Sequence, residues 1–197
     1  IMGLGLLTTA GLAGSIFYII HHIIVKTNLF LTSGLAHAVH GSFDLSRLGG
    51  LYRTHPGLAV LFLIPALSLA GLPPLSGFFA KLLLIRAGLQ VGQWAIVAIA
   101  LGVSLLTLLS MMKIWTEAFW KPKADDPPLV APSPAIARPV PSGVLATHWG
   151  IVSSAGLAFL TVGIGLGAEF VLALAEAAAE QLRNPDLYIS TMFRGRS

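Results

Sequence analysis

The chain has 197 residues, of which 55% are hydrophobic and only 10% charged, and its mean hydropathy is +0.83. Average soluble domains carry about 25% charged residues, so this composition belongs in a bilayer. The absence of cysteine excludes disulfides, thiolate metal sites and cysteine nucleophiles, and the net charge of +4 lies mostly in loops and the tail, where basic residues orient membrane proteins rather than bind nucleic acid.

Ile1 to Leu7 read as the end of a spanning helix. No basic start and no small-residue cleavage site mark a signal peptide, so the chain reads as the carboxy-terminal part of a longer polypeptide. After a turn at Thr8, Thr9 and Gly11, Leu12 to Leu35 form the first complete span, near the ~20 residues a bilayer needs. Its single formal charge is Lys26. His37 to Pro56 is polar, carries Asp44, Arg47 and Arg53, and reads as a loop with a short helix begun by Asp44 or Ser46.

Leu58 to Leu89 is too long for one straight span and short for a tight helical hairpin. Pro73 and Pro74 cannot donate backbone hydrogen bonds, and the residue before a proline disfavours the helical region. The spacing predicts two half-helices joined by a non-helical crossing at Leu72 to Gly77, with a re-entrant hairpin as the alternative. Trp94 to Trp120 is the next span, with tryptophan at both ends as in interfacial belts. Lys121 to Pro141 holds seven of the twelve prolines, which makes residues 121–147 a solvated linker. Trp149 to Ala175 is the last span, and Glu169, Glu176 and Glu180 fall at helical spacing on one face of its end. The expected fold is all-α: a polytopic bundle with its membrane part in residues 1–120 and a last helix with an interfacial tail in 148–197. Arg47, Arg53, Lys121, Lys123 and Arg138 fall on one face of the membrane, and Arg86, Arg183, Arg194 and Arg196 on the other.

Lys81 is the only Lys, Arg, Asp or Glu between Arg53 and Arg86, and it directly follows the helix break. A charge at membrane depth costs about 2.5–3.5 kcal/mol on insertion scales, and broken backbone at that depth survives only inside protein or beside a water-filled cavity. The two costs together point to an ion or proton pathway, with a lysine stem snorkelling to the interface as the bland alternative. Desolvation disfavours the ammonium form, so a lysine there exchanges protons near neutral pH.

Lys26 lies four residues after His22, on one helix face. His37 returns to that face after eleven residues, and His40 follows if the helix persists. Amines and imidazoles in such a file can pass protons through intervening water, with polar side chains that merely hydrogen-bond neighbouring helices as the bland alternative. His21 points elsewhere and reads as structural. Lys113 and Glu117 form an opposite-sign pair at helical spacing, explained by charge compensation. The histidine spacings match no zinc motif, the glycines form no phosphate loop, and no serine has a base and orienter for acyl chemistry. Neither a metal nor a cofactor is implied.

Three stretches, HHIIVKTNLFLTSG, GSFDLSRLGGL and ALSLAGLPPLSGFFAKLLLI, resemble the antiporter-like membrane subunits shared by respiratory complex I and the multisubunit Mrp-type cation/proton antiporters. The double histidine before VKTNLF and the GSFDLSRLGGL loop are most similar to the D-type subunits. The resemblance covers roughly Ile1 to Lys121. It implies a parent fold of inverted repeats with discontinuous helices, and it puts Lys26 and Lys81 at the family's ionisable positions with His22 one turn before the first lysine. It also implies a multi-pass subunit of a sodium/proton antiporter in the bacterial plasma membrane, whose partners are other subunits, lipid, protons and sodium ions. Two alternatives stay open: a proton-pumping subunit of complex I or a membrane-bound hydrogenase, and a structural assembly subunit whose lysines pair with acidic helices.

Overall fold

The structure, a computed structural model, describes residues 2–122, 144–184 and 186, with the backbone alone at 144–147. Its helices are α1 (Met2–Gly5), α2 (Thr9–His40), α3 (Leu51–Thr54), α4 (Pro56–Ala70), α5 (Ser76–Gln90), α6 (Trp94–Trp115) continued by a π-helical turn (Thr116–Trp120), α7 (Val144–Leu166) and α8 (Ala168–Arg183). No strand occurs among the described residues. Thr9–His40, Trp94–Trp120 and His148–Leu166 are long and apolar enough to cross a bilayer, and Pro56–Ala70 is a shorter apolar helix.

The central element is α2, which packs against α1, α4, α5, α7 and α8. Thr8 starts it by accepting the Gly11 amide at 3.0 Å, and Gly41 stops it in the left-handed conformation at φ 74°. At 1.5 Å per residue its 32 residues run about 48 Å, well beyond a ~30 Å hydrocarbon core. The helix therefore extends past the expected end at Leu35 and carries His37 and His40 within it. Two apolar cores form at its two ends. One gathers Leu35, Leu51, Phe62 and Phe119. The other gathers Ala13 and Phe17 with Ala80, Ile164, Ala175 and Ala179.

The expected helix at Asp44 or Ser46 is absent. The Asp44 carboxylate instead accepts from the Ser46 amide and hydroxyl, which closes a turn. The short helix forms later, at α3. Its neighbour Gly50 donates its amide to the Lys121 carbonyl at 2.7 Å, so Arg47, Arg53 and Lys121 do share one end of the bundle. At the other end the Arg183 guanidinium donates to Thr9 Oγ1 at 2.6 Å, and Gly88, two residues past Arg86, lies against Met2. The expected Lys113–Glu117 pair does not form: Glu117 pairs with Lys121 at 3.1 Å across the π-helical turn, whose wider winding changes the side-chain register.

The last span ends sooner than expected. Gly167 separates α7 from α8, which leaves Glu169 exposed in the first turn of α8 rather than at the end of a continuous helix. Most of the proline-rich stretch, residues 123–143, and the tail at 185 and 187–197 lie outside the described residues.

Candidate functional site

The helix break occupies residues 71–75, and Ser76 and Gly77, expected within it, already open α5. Its chemistry follows from the four orphan carbonyls and four orphan amides that every pair of helix ends leaves. Gly71 takes the left-handed conformation at φ 93°. Its amide reaches the Leu67 and Ser68 carbonyls, and the Leu72 amide reaches Leu67 at 3.1 Å, a Schellman-type ending before the two prolines. Lys81 Nζ then bends back toward the amino terminus of its helix, the direction helical side chains favour. It donates to the Leu69 and Ala70 carbonyls, each at 2.9 Å. In return, Ser68 of α4 accepts the Gly77 amide of α5 at 3.2 Å. Each half-helix caps the other.

A second group closes this arrangement. His21 Nδ1 and Ser76 Oγ are 2.9 Å apart, and the Ser76 and Ser68 hydroxyls are 3.2 Å apart. Gly77 permits the fit, since a Cβ there would overlap the Ser68 carbonyl and sit 2.8 Å from His21 Cε1. Gly165 of α7 packs against the Pro74 carbonyl and the backbone of Leu75 and Ser76, leaving no room for a side chain. The α5 side of the break, Leu75 to Gly77, is thereby buried against α2 and α7, while Pro73 and Pro74 are exposed on the surface of the described residues.

Two cavities flank α2. The larger, about 560 Å³, is lined by Tyr18, His22 and Lys26 of α2, by Lys81 of α5, and by Ser104 and Thr107 of α6. Among the described residues, no carboxylate lines it. The smaller, about 370 Å³, is lined by Lys26, Thr32, Ser33, Ser42, Phe43 and apolar groups including Phe62 and Met111. Lys26 and Leu69 line both. Lys26 thus stands at the junction between a cavity leading to the Gly41 end of α2 and one holding Lys81.

The predicted site residues divide accordingly. His22, Lys26 and Lys81 come together around one cavity, with His22 stacked on Tyr18 at 5.5 Å. His37 and His40 line neither cavity. His37 stacks on Phe43 at 3.9 Å, one ring behind the mouth of the smaller cavity, and His40 Nε2 meets the Gly49 carbonyl at 3.2 Å. No group of metal-ligating side chains occurs among the described residues. Sequence reasoning missed the Ser68–Ser76–His21 link and the buried hydrogen bond from Ser154 of α7 to Asn28. A partial signal existed: His21 and Asn28 are seven residues apart, hence on one face of α2, and the two serines flank the prolines, but nothing pointed to Ser154.

A helical membrane bundle with a lysine capping its own helix break, beside a cavity shared with a second lysine, fits the class of antiporter-like membrane subunits that the sequence resembles. The family model for NADH:quinone oxidoreductase/Mrp antiporter, TM, matches residues 1–107, and the chain belongs to that family. The D-type Na(+)/H(+) antiporter subunit of Alkalihalophilus pseudofirmus is 40% identical over 196 residues, covering 98% of this chain and 37% of that protein. The D-type antiporter subunit of Bacillus subtilis is 34% identical, again covering 98% of this chain and 37% of the relative. A chain of the Mrp complex from Dietzia sp. is 38% identical and superposes with a TM-score of 0.79, covering 95% of this chain and 40% of its own length. A chain of respiratory complex I from Thermus thermophilus with bound aureothin is 26% identical, with a TM-score of 0.60, covering 87% of this chain and 36% of its own. The chain therefore spans well under half the length of the relatives it matches.

Proposed function

We propose that the chain is part of a membrane subunit of a multisubunit sodium/proton antiporter, placed multi-pass in a bacterial plasma membrane, and that protons cross it on Lys26 and Lys81. The observation that carries this reading is the position of Lys26 on the walls of both cavities. Protons enter from the Gly41 end of α2, past Ser42 and Phe43 with His37 behind them, and reach Lys26. His22, one turn away on the same face, tunes the transfer into the larger cavity. Lys81 receives the proton and releases it beside the break at residues 71–75. Two lysines facing one cavity without a lining carboxylate repel each other when both are charged, so a proton arriving on one favours departure from the other.

The higher identity to the D-type antiporter subunits than to the complex I chain favours antiport over a redox-driven pump. Partners are the remaining subunits of such a complex, and their identity on co-purification separates the two readings. The direct test is ion-driven proton flux in vesicles bearing the assembled complex. Lys26→Ala removes flux at normal complex yield, and His22→Ala slows it or displaces its pH optimum. A well-assembled Lys26→Ala complex with unchanged flux at every pH would refute the route.

A further inference from the structure

His21 and His22 are adjacent but lie about 100° apart around α2, and their surroundings differ accordingly. His22 faces the lysine cavity. His21 is 0% exposed, as are Phe17 and Val25 one turn to either side of it. Its ring is shut in by this chain's own helices, so neither another subunit nor the rest of a longer chain reaches it. Among the described residues its side-chain hydrogen-bond partner is Ser76, itself 1% exposed, and the Tyr18 ring meets it edge-on at 5.9 Å.

We propose that His21 is a positioning residue for Lys81, acting through Ser76 and Ser68 on both ends of the broken helix. The inference rests on the proton-carrying role of Lys81 argued above. His21 Nδ1 holds the Ser76 hydroxyl, that hydroxyl meets Ser68 Oγ, and Ser68 Oγ accepts the Gly77 amide. The start of α5 is thereby fixed to the last turn of α4 through a side chain anchored on a third helix. Lys81 lies one turn beyond Gly77, and its ammonium must span back over the break to the Leu69 and Ala70 carbonyls at 2.9 Å. Hydrogen bonds weaken steeply with distance and angle. A shift of α5 against α4 therefore changes how firmly Lys81 holds its proton, although His21 never touches it. Gly77 belongs to the same device, because any side chain there would displace either the ring or the Ser68 carbonyl.

Substitution separates positioning from proton carriage. Asparagine places its amide where histidine has Nδ1, and glutamine reaches the Nε2 position, but neither titrates. The experiment compares His21→Leu, His21→Asn and His21→Gln in the full-length subunit assembled in its membrane complex. It reads ion-driven proton flux against pH together with hydrogen exchange of the peptide covering residues 71–78. Besides Lys81, the titratable groups lining the cavity are Tyr18, His22 and Lys26 of α2; α1, α4 and α6 contribute none. Tyr18 also touches the His21 ring, so the displacement that counts is one present in His21→Leu and absent in His21→Asn, which is equally unable to titrate.

His21→Leu is expected to lower flux about tenfold, displace the pH profile by about one unit and speed exchange at residues 71–78. His21→Asn is expected to restore all three. Unchanged exchange in His21→Leu overturns the proposal, and so does faster exchange with an undisplaced profile, since a purely structural histidine gives that result. Rescue by glutamine but not asparagine also overturns it. Should His21→Leu fail to assemble, Ser76→Ala cuts the same link without altering ring packing and must displace the profile in its place. Flux retained in Lys81→Met sinks the proton route itself, while the exchange measurement still decides whether His21 holds the break.

Discussion

Lys81 Nζ donates to the Leu69 carbonyl at 2.9 Å, so the one charged residue of the apolar stretch caps the helix preceding its own. Ammonium-to-carbonyl bonds are charge-assisted and the carbonyls carry the negative end of the α4 dipole. Losing the proton removes the charge assistance and one of the three N–H donors, which loosens the contact with both carbonyls. Proton exchange at Lys81 and the geometry of the break are therefore linked, and substitutions distinguish a relay from a structural tie. Lys81→Met keeps most of the stem and removes the cost of a buried charge, so the complex assembles at normal yield with flux lowered at least about tenfold. Lys81→Arg fails as well, because guanidinium does not release its proton in proteins. Vesicle flux measured beside native-gel yield checks both. Full rescue by arginine with loss of assembly in methionine would show a structural ion-pair partner instead.

Much of this was legible in the sequence because the bilayer makes a few residues expensive. A lone lysine after a Gly–Pro–Pro–Gly group states its own importance, and Lys26 with His22 follows from helical spacing. What stayed hidden depended on register and on contacts across long separations. Helix boundaries moved because Gly41 and Gly71, rather than the polar residues near them, take the left-handed conformation that ends a helix. Gly167 divides the last span without that conformation, at φ −100°, two residues after Gly165 has packed onto the break backbone. Nothing in the local pattern pairs Ser154 with Asn28, which are 126 residues apart. The split of adjacent histidines between a cavity and a core follows from the helical period, but which of them faces which is decided by α5 and α7.

The Asp44 turn gives a pH-dependent test outside the membrane. The Ser46 hydroxyl at 2.8 Å, then the Ser46 amide at 3.0 Å, hold the Asp44 carboxylate below its ordinary value of 3.8, with Arg47 contributing least. A carboxylate depressed in the folded state stabilises above its unfolded pKa, and that contribution is lost as pH falls through the folded value. Corrected for the intrinsic rate at each pH, exchange of the Ser46 amide is therefore expected to stay slow down to the ordinary carboxylate range and to quicken below it. Asp44→Asn keeps the acceptor oxygen and should remove the pH dependence while preserving the turn. Quickening that begins well above pH 4 would contradict the assignment.

Close backbone approach predicts intolerance at two glycines. A Cβ at Gly77 would overlap the Ser68 carbonyl, and one at Gly165 would overlap the Pro74 carbonyl. Backbone cannot rotate away as a side chain can, so each alanine substitution costs about 1–3 kcal/mol or more. Gly156 and Gly163, on the same helix as Gly165, meet nothing within 4 Å, and alanine there should be harmless. Thermal stability of the purified complex is the measurement. Equal tolerance at Gly163 and Gly165 would mean that α7 does not seat on the break.

Asn28 and Ser154 supply the last prediction, and magnitudes decide its form. Both are 0% exposed, and their hydrogen bond joins α2 to α7. Interhelical hydrogen bonds inside membranes are worth about 0.6 kcal/mol on average, whereas orphaning one buried polar group costs about 1–3 kcal/mol. Asn28→Leu should therefore destabilise chiefly by leaving the Ser154 hydroxyl without its partner, partly relieved if that hydroxyl turns to its own helix backbone. The double variant Asn28→Leu with Ser154→Ala removes the orphan and should recover most of the loss, giving a melting temperature above that of Asn28→Leu alone. Additive losses in the double variant would place the value of the pair in packing volume rather than in the hydrogen bond.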